Sequence, residues 1–470
     1  MEERNPAEPE RLPLGQNQAE EYAPDDARLE GDPVRVVHPS VVHLHGPEEV
    51  AYEADELVVV CLVRDGQPYV KSFVEHYLSL GVKHLFFLDN GSTDGTVEAL
   101  KGYDNVTVLR TALPFKRYDL LVRQYLIERF GRGRWCLCVD IDELFDYPYS
   151  DVVGIGSLLR YLNERSYTAV VAQMLDMFPE EPLSGSGAGN LPDEPLKERH
   201  RFYDISNIRR KSMRGHPLFR NNTLESKEIE GLRYGIRQSL FGFRANLTKF
   251  PLVFSDGRVT PFDGSTHWVD NARIADITCV LFHYKFLDAH LREQAVRAVQ
   301  EGSRRGQNYK KYLQVLEGTP ILRIKQDTSK EIQCVNDLLE NGFLIVSEEY
   351  VGWVNAEEEK SVLLQPAFQG EQDGLADAFL KARRQERTKT LKVRSLERQL
   401  LKRDRKIRSL KHQLLKRDRK IRNLKQNQRL LKKRIRILER QLQSMRSSRS
   451  WRLLNKLGGI RARVSKGRKR

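Results

Sequence analysis

Trp135-Cys136-Leu137-Cys138-Val139-Asp140-Ile141-Asp142-Glu143-Leu144-Phe145 is an apolar run that stops at two carboxylates one residue apart. Five successive apolar residues bounded by charge read as a buried strand, and that strand delivers Asp140 and Asp142 to the edge of a sheet. Carboxylate oxygens in such a place suit a hard divalent cation such as Mg2+ or Mn2+. Asp-x-Asp alone recurs by chance in many chains. The strand in front of it is what gives it weight.

Upstream, residues 57–63 are a second buried strand, followed by Gly66 and by Pro68 just inside a helix that ends before Gly81. Residues 85–88 form the next strand, and Asn90-Gly91-Ser92-Thr93-Asp94-Gly95 is a dense turn leading to a short helix. Residues 106–109 read as a strand and 117–130 as a helix, so that 135–139 is the fourth strand. Alternation at this interval implies a parallel sheet with right-handed crossovers, in which ligands collect beyond the carboxyl ends of the strands. Arg64 and Asp65 close the first strand, Asp89 the second, and Asp140 and Asp142 the fourth. A fifth strand over 168–175 ends at Asp176, and a later one over 277–282 ends in His283-Tyr284-Lys285-Phe286. A helix over about 289–301 follows. Residues 179–198, rich in Pro, Gly, Ser and Glu, read as a loop, with a lid over the site as the sharper expectation.

The formal net charge of +15 hides a division. Residues 381–470 carry 36 basic and 5 acidic residues, whereas residues 1–380 carry 43 and 59. The body is therefore acidic and the tail alone is basic. Cys61, Cys136, Cys138, Cys279 and Cys334 are odd in number and lack metal-ligand spacing, so they are expected as buried free thiols in a reducing compartment. The start of the sequence lacks a basic and then apolar signal segment, and no run reaches the ~18 apolar residues of a membrane helix. The expectation is a cytoplasmic protein. Its parts are an acidic, Pro-rich disordered leader over 1–55, an enzyme-like domain over 56–365, a linker over 366–390, a basic coiled coil over 391–446 and a basic tail over 447–470.

With Val393 at position a, thirteen of the sixteen a and d positions through Met445 are apolar, which argues for a coiled coil. Residues 400–413 are repeated as 414–427 with 11 matches, and each copy places an arginine, Arg403 or Arg417, at d. A parallel dimer or trimer is expected, so the chain would form a homo-oligomer. So basic a helix calls for an anionic counterpart. Nucleic acid is disfavoured, because no aromatic residue from Thr388 to Ser450 can stack on a base. An anionic membrane surface fits better, since basic clusters gain roughly 1 kcal/mol per residue near acidic lipid. Ser450-Trp451-Arg452-Leu453-Leu454-Asn455-Lys456-Leu457 is a candidate interfacial segment, consistent with a peripheral position on the inner face of the membrane.

Residues from about 57 to 320 resemble the cytoplasmic family 2-type glycosyltransferases of GT-A fold. The resemblance rests on Cys61-Leu62-Val63-Arg64-Asp65, Glu75-His76-Tyr77, Leu88-Asp89-Asn90-Gly91-Ser92-Thr93-Asp94-Gly95-Thr96, Asp140-Ile141-Asp142-Glu143-Leu144, Leu247-Thr248-Lys249-Phe250-Pro251-Leu252, Thr266-His267-Trp268 and His283-Tyr284-Lys285-Phe286. It implies an α/β fold: a GT-A Rossmann-like sheet with flanking helices, followed here by a long C-terminal α-helical coiled coil. It also implies a nucleotide-diphosphate sugar donor, transfer with inversion to a surface-glycan or lipid-linked acceptor, and Mn2+ or Mg2+ against the leaving diphosphate. By the same resemblance Asp89 contacts the donor base or ribose, Asp140 the ribose or metal, and Asp142 the metal, with His283 a further metal or diphosphate ligand. The chain departs from the pattern at Arg64-Asp65-Gly66, where such proteins often have Arg-Asn-Glu.

Arg64 and Asp65 remain donor-side candidates, Arg237 and Lys249 are candidates for the phosphates, and His267 for acceptor or donor. Inverting transfer needs a general base; Asp176 is the candidate, with Asp204, Asp256 and Asp270 as competitors and Glu143 as support behind the metal pair. Plainer roles stand beside each of these. Asp89 and Asp94 can shape a turn and cap a helix, His283 and His267 can be packed histidines, and Arg237 and Lys249 can be solvated charges. The rival to an enzyme is a non-catalytic coiled-coil scaffold with an inactive transferase-like domain.

Overall fold

The computed structural model describes residues 32–183, 195–242, 244–262, 265–300, 306–319, 321–363 and 373–447. They fall into two units, residues 1–388 and 389–470, each taken by itself. The chain runs α1 (Pro33–Val37), β1 (Val41–His45), β2 (Val58–Val63), α2 (Gln67–Ser79), β3 (His84–Asp89), α3 (Thr96–Leu100), β4 (Val106–Thr111), α4 (Phe115–Phe130), β5 (Trp135–Cys138), β6 (Glu143–Asp146), α5 (Ile155–Glu164) and β7 (Ala169–Asp176). It continues through α6 (Leu196–Arg199), β8 (Phe202–Tyr203), β9 (Ile208–Lys211), β10 (Thr223–Leu224), β11 (Gly231–Tyr234), α7 (Ile236–Phe241), β12 (Thr248–Phe254), β13 (Thr260–Pro261), β14 (Val269–Asp270) and β15 (Arg273–His283). Then come α8 (Asp288–Gln300), α9 (Gly306–Gly318), β16 (Lys330–Glu331), α10 (Asn336–Glu340), α11 (Glu348–Leu363) and α12 (Asp373–Ser447).

Every residue of β2 and β3 is buried, as runs covered on both faces by helices must be. They lie in a large sheet of order β1-β4-β3-β2-β5-β12-β7-β15-β10, with β6 also paired to β15. β4, β3, β2 and β5 are mutually parallel. The expectation of a parallel sheet is corrected at three places, one being β6, which pairs antiparallel with β15. β1 closes the edge antiparallel to β4, and β12 lies antiparallel between β5 and β7. The sequence conceals β12 because Pro251 interrupts it, and proline has no N–H for a ladder. The register against β7 shifts between Lys249 and Leu252, so a bulge accommodates the proline.

The part of the presumed leader that is described is folded. Asp32 caps α1 by accepting from the Val34 amide at 3.0 Å, Val37 is fully buried, and β1 covers the β4 edge. Residues 1–31, residues 184–194 of the expected lid, residues 364–372 around the start of the expected linker and the interfacial segment 450–457 lie outside the described residues. Residues 373–390, also assigned to the linker, belong to α12. The five cysteines are free; four are buried, while Cys334 is exposed. Among the described residues no helix is long and apolar enough to cross a membrane.

Candidate metal centre at the carboxyl end of the sheet

The register of β15 builds the site. His283, its last residue, lies opposite Asp176 in parallel β7 and opposite Glu143 in antiparallel β6. Residues paired across strands point to the same face, so three titratable side chains arrive together. Asp142 precedes Glu143, and its carbonyl accepts from the Tyr284 amide at 2.8 Å. Behind this turn the Tyr77 hydroxyl of α2 donates to the Glu143 carbonyl and accepts from the Phe145 amide, both at 2.9 Å. The position of Asp142 is thus fixed by backbone bonds on both sides.

The cluster is buried and its charges alternate. His283 Nε2 lies 3.4 Å from Asp142 Oδ2, and on the other side of the ring Nδ1 donates to Asp176 Oδ1 at 2.6 Å. Arg237 holds Asp176 in a fork, with Nε to Oδ2 at 2.8 Å and Nη2 to Oδ1 at 2.8 Å. Burial works against a proton on His283, but Asp142 and Asp176 outweigh it and raise its pKa above the usual value. Burial likewise opposes ionisation of Asp142, and the attraction and hydrogen bond of His283, with Lys285 beyond, hold its carboxyl well below the usual range. Asp176 is drawn down to about 2 against its burial by Arg237 and His283. Glu143 moves the other way: burial raises it despite the pull of Lys249.

One ligand atom from each of Asp142, Glu143 and His283 lies within 4.8 Å of the other two. Two carboxylate oxygens and one imidazole nitrogen fit Mn2+ or Mg2+ as a donor set. In that arrangement Asp176 supports the ring from its far nitrogen, the usual partner of a metal-bound histidine.

The other expected residues are placed differently. Asp140 is not gathered as a ligand: Arg123 Nη2 lies 2.6 Å from its Oδ1 and Lys249 Nζ 3.1 Å from its Oδ2. Glu143 takes its place in the cluster while also meeting Lys249 at 2.5 Å. Lys249, buried, and Arg237, partly buried, both expected at the donor phosphates, are held in these ion pairs. Asp176, expected as general base, has both oxygens engaged by Arg237 and His283. Its competitors are also committed. Asp204 accepts from the Ser206 amide at 2.8 Å and the Thr328 hydroxyl at 2.6 Å, Asp256 from the amides of Arg258 and Val259 at 2.8 and 3.0 Å, and Asp270 from Asn221 at 2.9 Å.

Asp89 shapes its own loop. Its side chain is fully buried, accepting from the amides of Gly91 and Ser92 at 3.2 and 3.0 Å and from Arg110 Nε at 2.8 Å. Asp94 receives the Gln67 amide at 3.0 Å, which ties the loop to the start of α2. Asp65, with φ of +50°, accepts from the Thr93 amide at 2.8 Å and pairs with Arg297 of α8. Arg64 is exposed, 3.8 Å from Asp65. His267 lines a separate small cavity with Lys211, His216, Arg233, Thr248 and Trp268. Its Nδ1 donates to the Thr248 carbonyl at 3.0 Å, and His216 stacks on Trp268 with centroids 4.5 Å apart.

Two residues of the site escaped the sequence reading in role. Lys285 reaches Gln294 at 2.8 Å and the Tyr309 hydroxyl at 3.1 Å beside Asp142. Arg123 is 6% exposed in α4. Its signal was available, because an arginine within Leu120-Leu121-Val122-Arg123-Gln124-Tyr125-Leu126 needs a buried anion.

No family model and no curated protein matches this chain. Among solved structures it aligns with a nucleotidyl transferase from Methanothermobacter thermautotroptrophicus at 16% identity, over 29% of this chain and 69% of that one, with a TM-score of 0.17. A UDP-glucose pyrophosphorylase from Acinetobacter baumanii aligns at 9% identity over 30% and 64% of the two chains, also with a TM-score of 0.17. Likeness at this level carries no functional argument, and the function has to be argued from the site.

Proposed function

We propose that the chain is a metal-dependent transferase acting on a nucleotide-diphosphate sugar, and within that class a glycosyltransferase whose acceptor is a surface glycan or its lipid-linked precursor. The observation that supports it is the meeting of Asp142, Glu143 and His283 at the carboxyl end of the sheet. Asp142 and His283 would hold Mn2+ or Mg2+, with Glu143 beside them. A divalent cation there supplies charge stabilisation to a departing diphosphate. Asp176 and Arg237 keep the His283 ring turned toward Asp142, and Tyr77 fixes the turn that carries both acids. Arg64, exposed beside Asp65, would meet a phosphate from the loop side.

The scaffold reading has one observation in its favour. Asp89, Lys249 and Arg237, all expected at the donor, are committed to internal ion pairs. Thermal unfolding with a panel of nucleotide-diphosphate sugars, in Mn2+ and in EDTA, separates the two, since a ligand of the native state raises the midpoint. The transferase reading expects a rise with one nucleotide that EDTA abolishes. A folded sample that no donor shifts would favour the scaffold.

A further inference from the structure

We infer that residues 393–445 pair with the same residues of a second copy of this chain, as a parallel two-stranded coiled coil in register, fastened by Arg403 of one chain against Asp404 of the other. The inference is independent of the transferase reading. Its structural basis is that α12 runs unbroken through both sequence repeats, from Asp373 to Ser447. Residues 393–445 span about 80 Å at ~1.5 Å per residue. Along that length the apolar a and d side chains are exposed in the single chain, with Leu400 and Leu424 each at 59% and Leu414 at 63%. A stripe of this length at heptad spacing requires a matching stripe.

The charges identify what supplies it. Counted from Val393 at a, the four acids between residues 391 and 446, Glu397, Asp404, Asp418 and Glu439, all stand at position e. No acid stands at g, where Lys392, Lys406, Lys420 and Arg434 are found. In a parallel pair e faces g of the partner five residues away, so Glu397 meets Lys392 and Glu439 meets Arg434. In an antiparallel pair g would face g, setting cation against cation. Position d packs beside d and e of the facing helix in a parallel pair, which puts Arg403 against the partner's Asp404 and its own Asp404 against the partner's Arg403. The second repeat carries the same residue types at Arg417 and Asp418. Three strands would enclose three Arg403 guanidinium groups in one core layer, and burying unpaired charge is costly. Two strands leave each arginine at the flank beside an acid.

The test uses the full chain. Light scattering should give twice the 54.5 kDa chain mass. In a Cys334→Ser background, Leu396→Cys should form an interchain disulfide under mild oxidation, and so should Leu424→Cys. Arg403→Glu alone gathers four acids in one layer and Asp404→Arg gathers four arginines, so each variant should dimerise more weakly. Mixed one to one, the two restore opposite charges at both contacts. The mixed pair should bind about fivefold more tightly than either variant with itself, the ~1 kcal/mol expected of exposed pairs. Adjacent residues of one helix do not face each other, so a change confined to one chain cannot produce this rescue. A trimeric mass, a disulfide only between Leu396→Cys and Leu442→Cys chains, or no rescue on mixing would overturn the parallel dimer. A monomer at micromolar concentration would overturn self-association and leave the stripe to an anionic surface.

Discussion

Two groups of carboxylates stand at carboxyl ends of strands in this protein, and they do different things. Asp89 and Asp94, in the loop after β3, accept mainly from backbone amides and give that loop its shape. Asp142 and Asp176, at the ends of the β5–β6 turn and of β7, face side-chain partners, His283 and Arg237. The difference lies in which donors are at hand. A tight Gly-rich turn supplies N–H groups two and three residues on and absorbs a carboxylate. Where strand ends converge from three places, Asp142 and Asp176 are met by side chains instead, and a metal ion can take the place of such a cation.

The largest consequence expected is structural. Arg237→Ala would leave Asp176 buried beside a single remaining partner, and loss of one member of a buried pair costs about 3–5 kcal/mol; urea unfolding measures it. Asp142→Asn should leave the fold intact and weaken Mn2+ binding by more than about 100-fold, beyond the range of supporting residues. Asp176→Asn should weaken it by about 10–100-fold, because it orients His283 without binding the ion; calorimetric titration distinguishes the two. Asp89→Asn should do the reverse of Asp142→Asn, costing about 1–2 kcal/mol of stability through weakened loop bonds while leaving Mn2+ affinity unchanged. If Asp89→Asn instead abolished metal or donor binding with stability intact, the two groups would not differ as described.

Acid pH should destabilise the protein through two buried histidines, His84 at the start of β3 and His200 after α6. Burial pushes His84 and His200 down to about 4, with Arg199 adding to the effect at His200. The unfolded chain takes up these protons near pH ~6.5. Between ~6.5 and ~4 these two sites bind more protons in the unfolded chain, so their contribution to stability is complete above ~6.5 and is lost as the pH drops. The thermal midpoint should follow, and His84→Gln should make the decline shallower.

Strand and helix order from β2 through β5 was legible because the runs are apolar, short and punctuated by Gly and Pro. β12 was not, since Pro251 argues against a central strand until a bulge is seen to carry it. β1 was hidden in a polar segment that earns its place by covering an edge. Asp142 and His283 were legible as a pair of strand-end polar residues. That Glu143 joins them in place of Asp140 depends on β15 pairing with both β6 and β7, and single-sequence spacing does not contain that register. The roles of Asp176, Arg237 and Lys249 were missed for one reason. A charge beyond a strand looks the same in sequence whether it faces a ligand or another buried charge.

Under the proposed function Asp142 and His283 hold a divalent cation while Asp89 holds a loop. Titration of Mn2+ into the purified chain, read by loss of the free-ion paramagnetic resonance signal, tests it in three samples. One ion should bind per chain in the unaltered protein and in Asp89→Asn, and binding should vanish in Asp142→Asn. No binding in the unaltered protein, or binding that survives Asp142→Asn, would contradict the account.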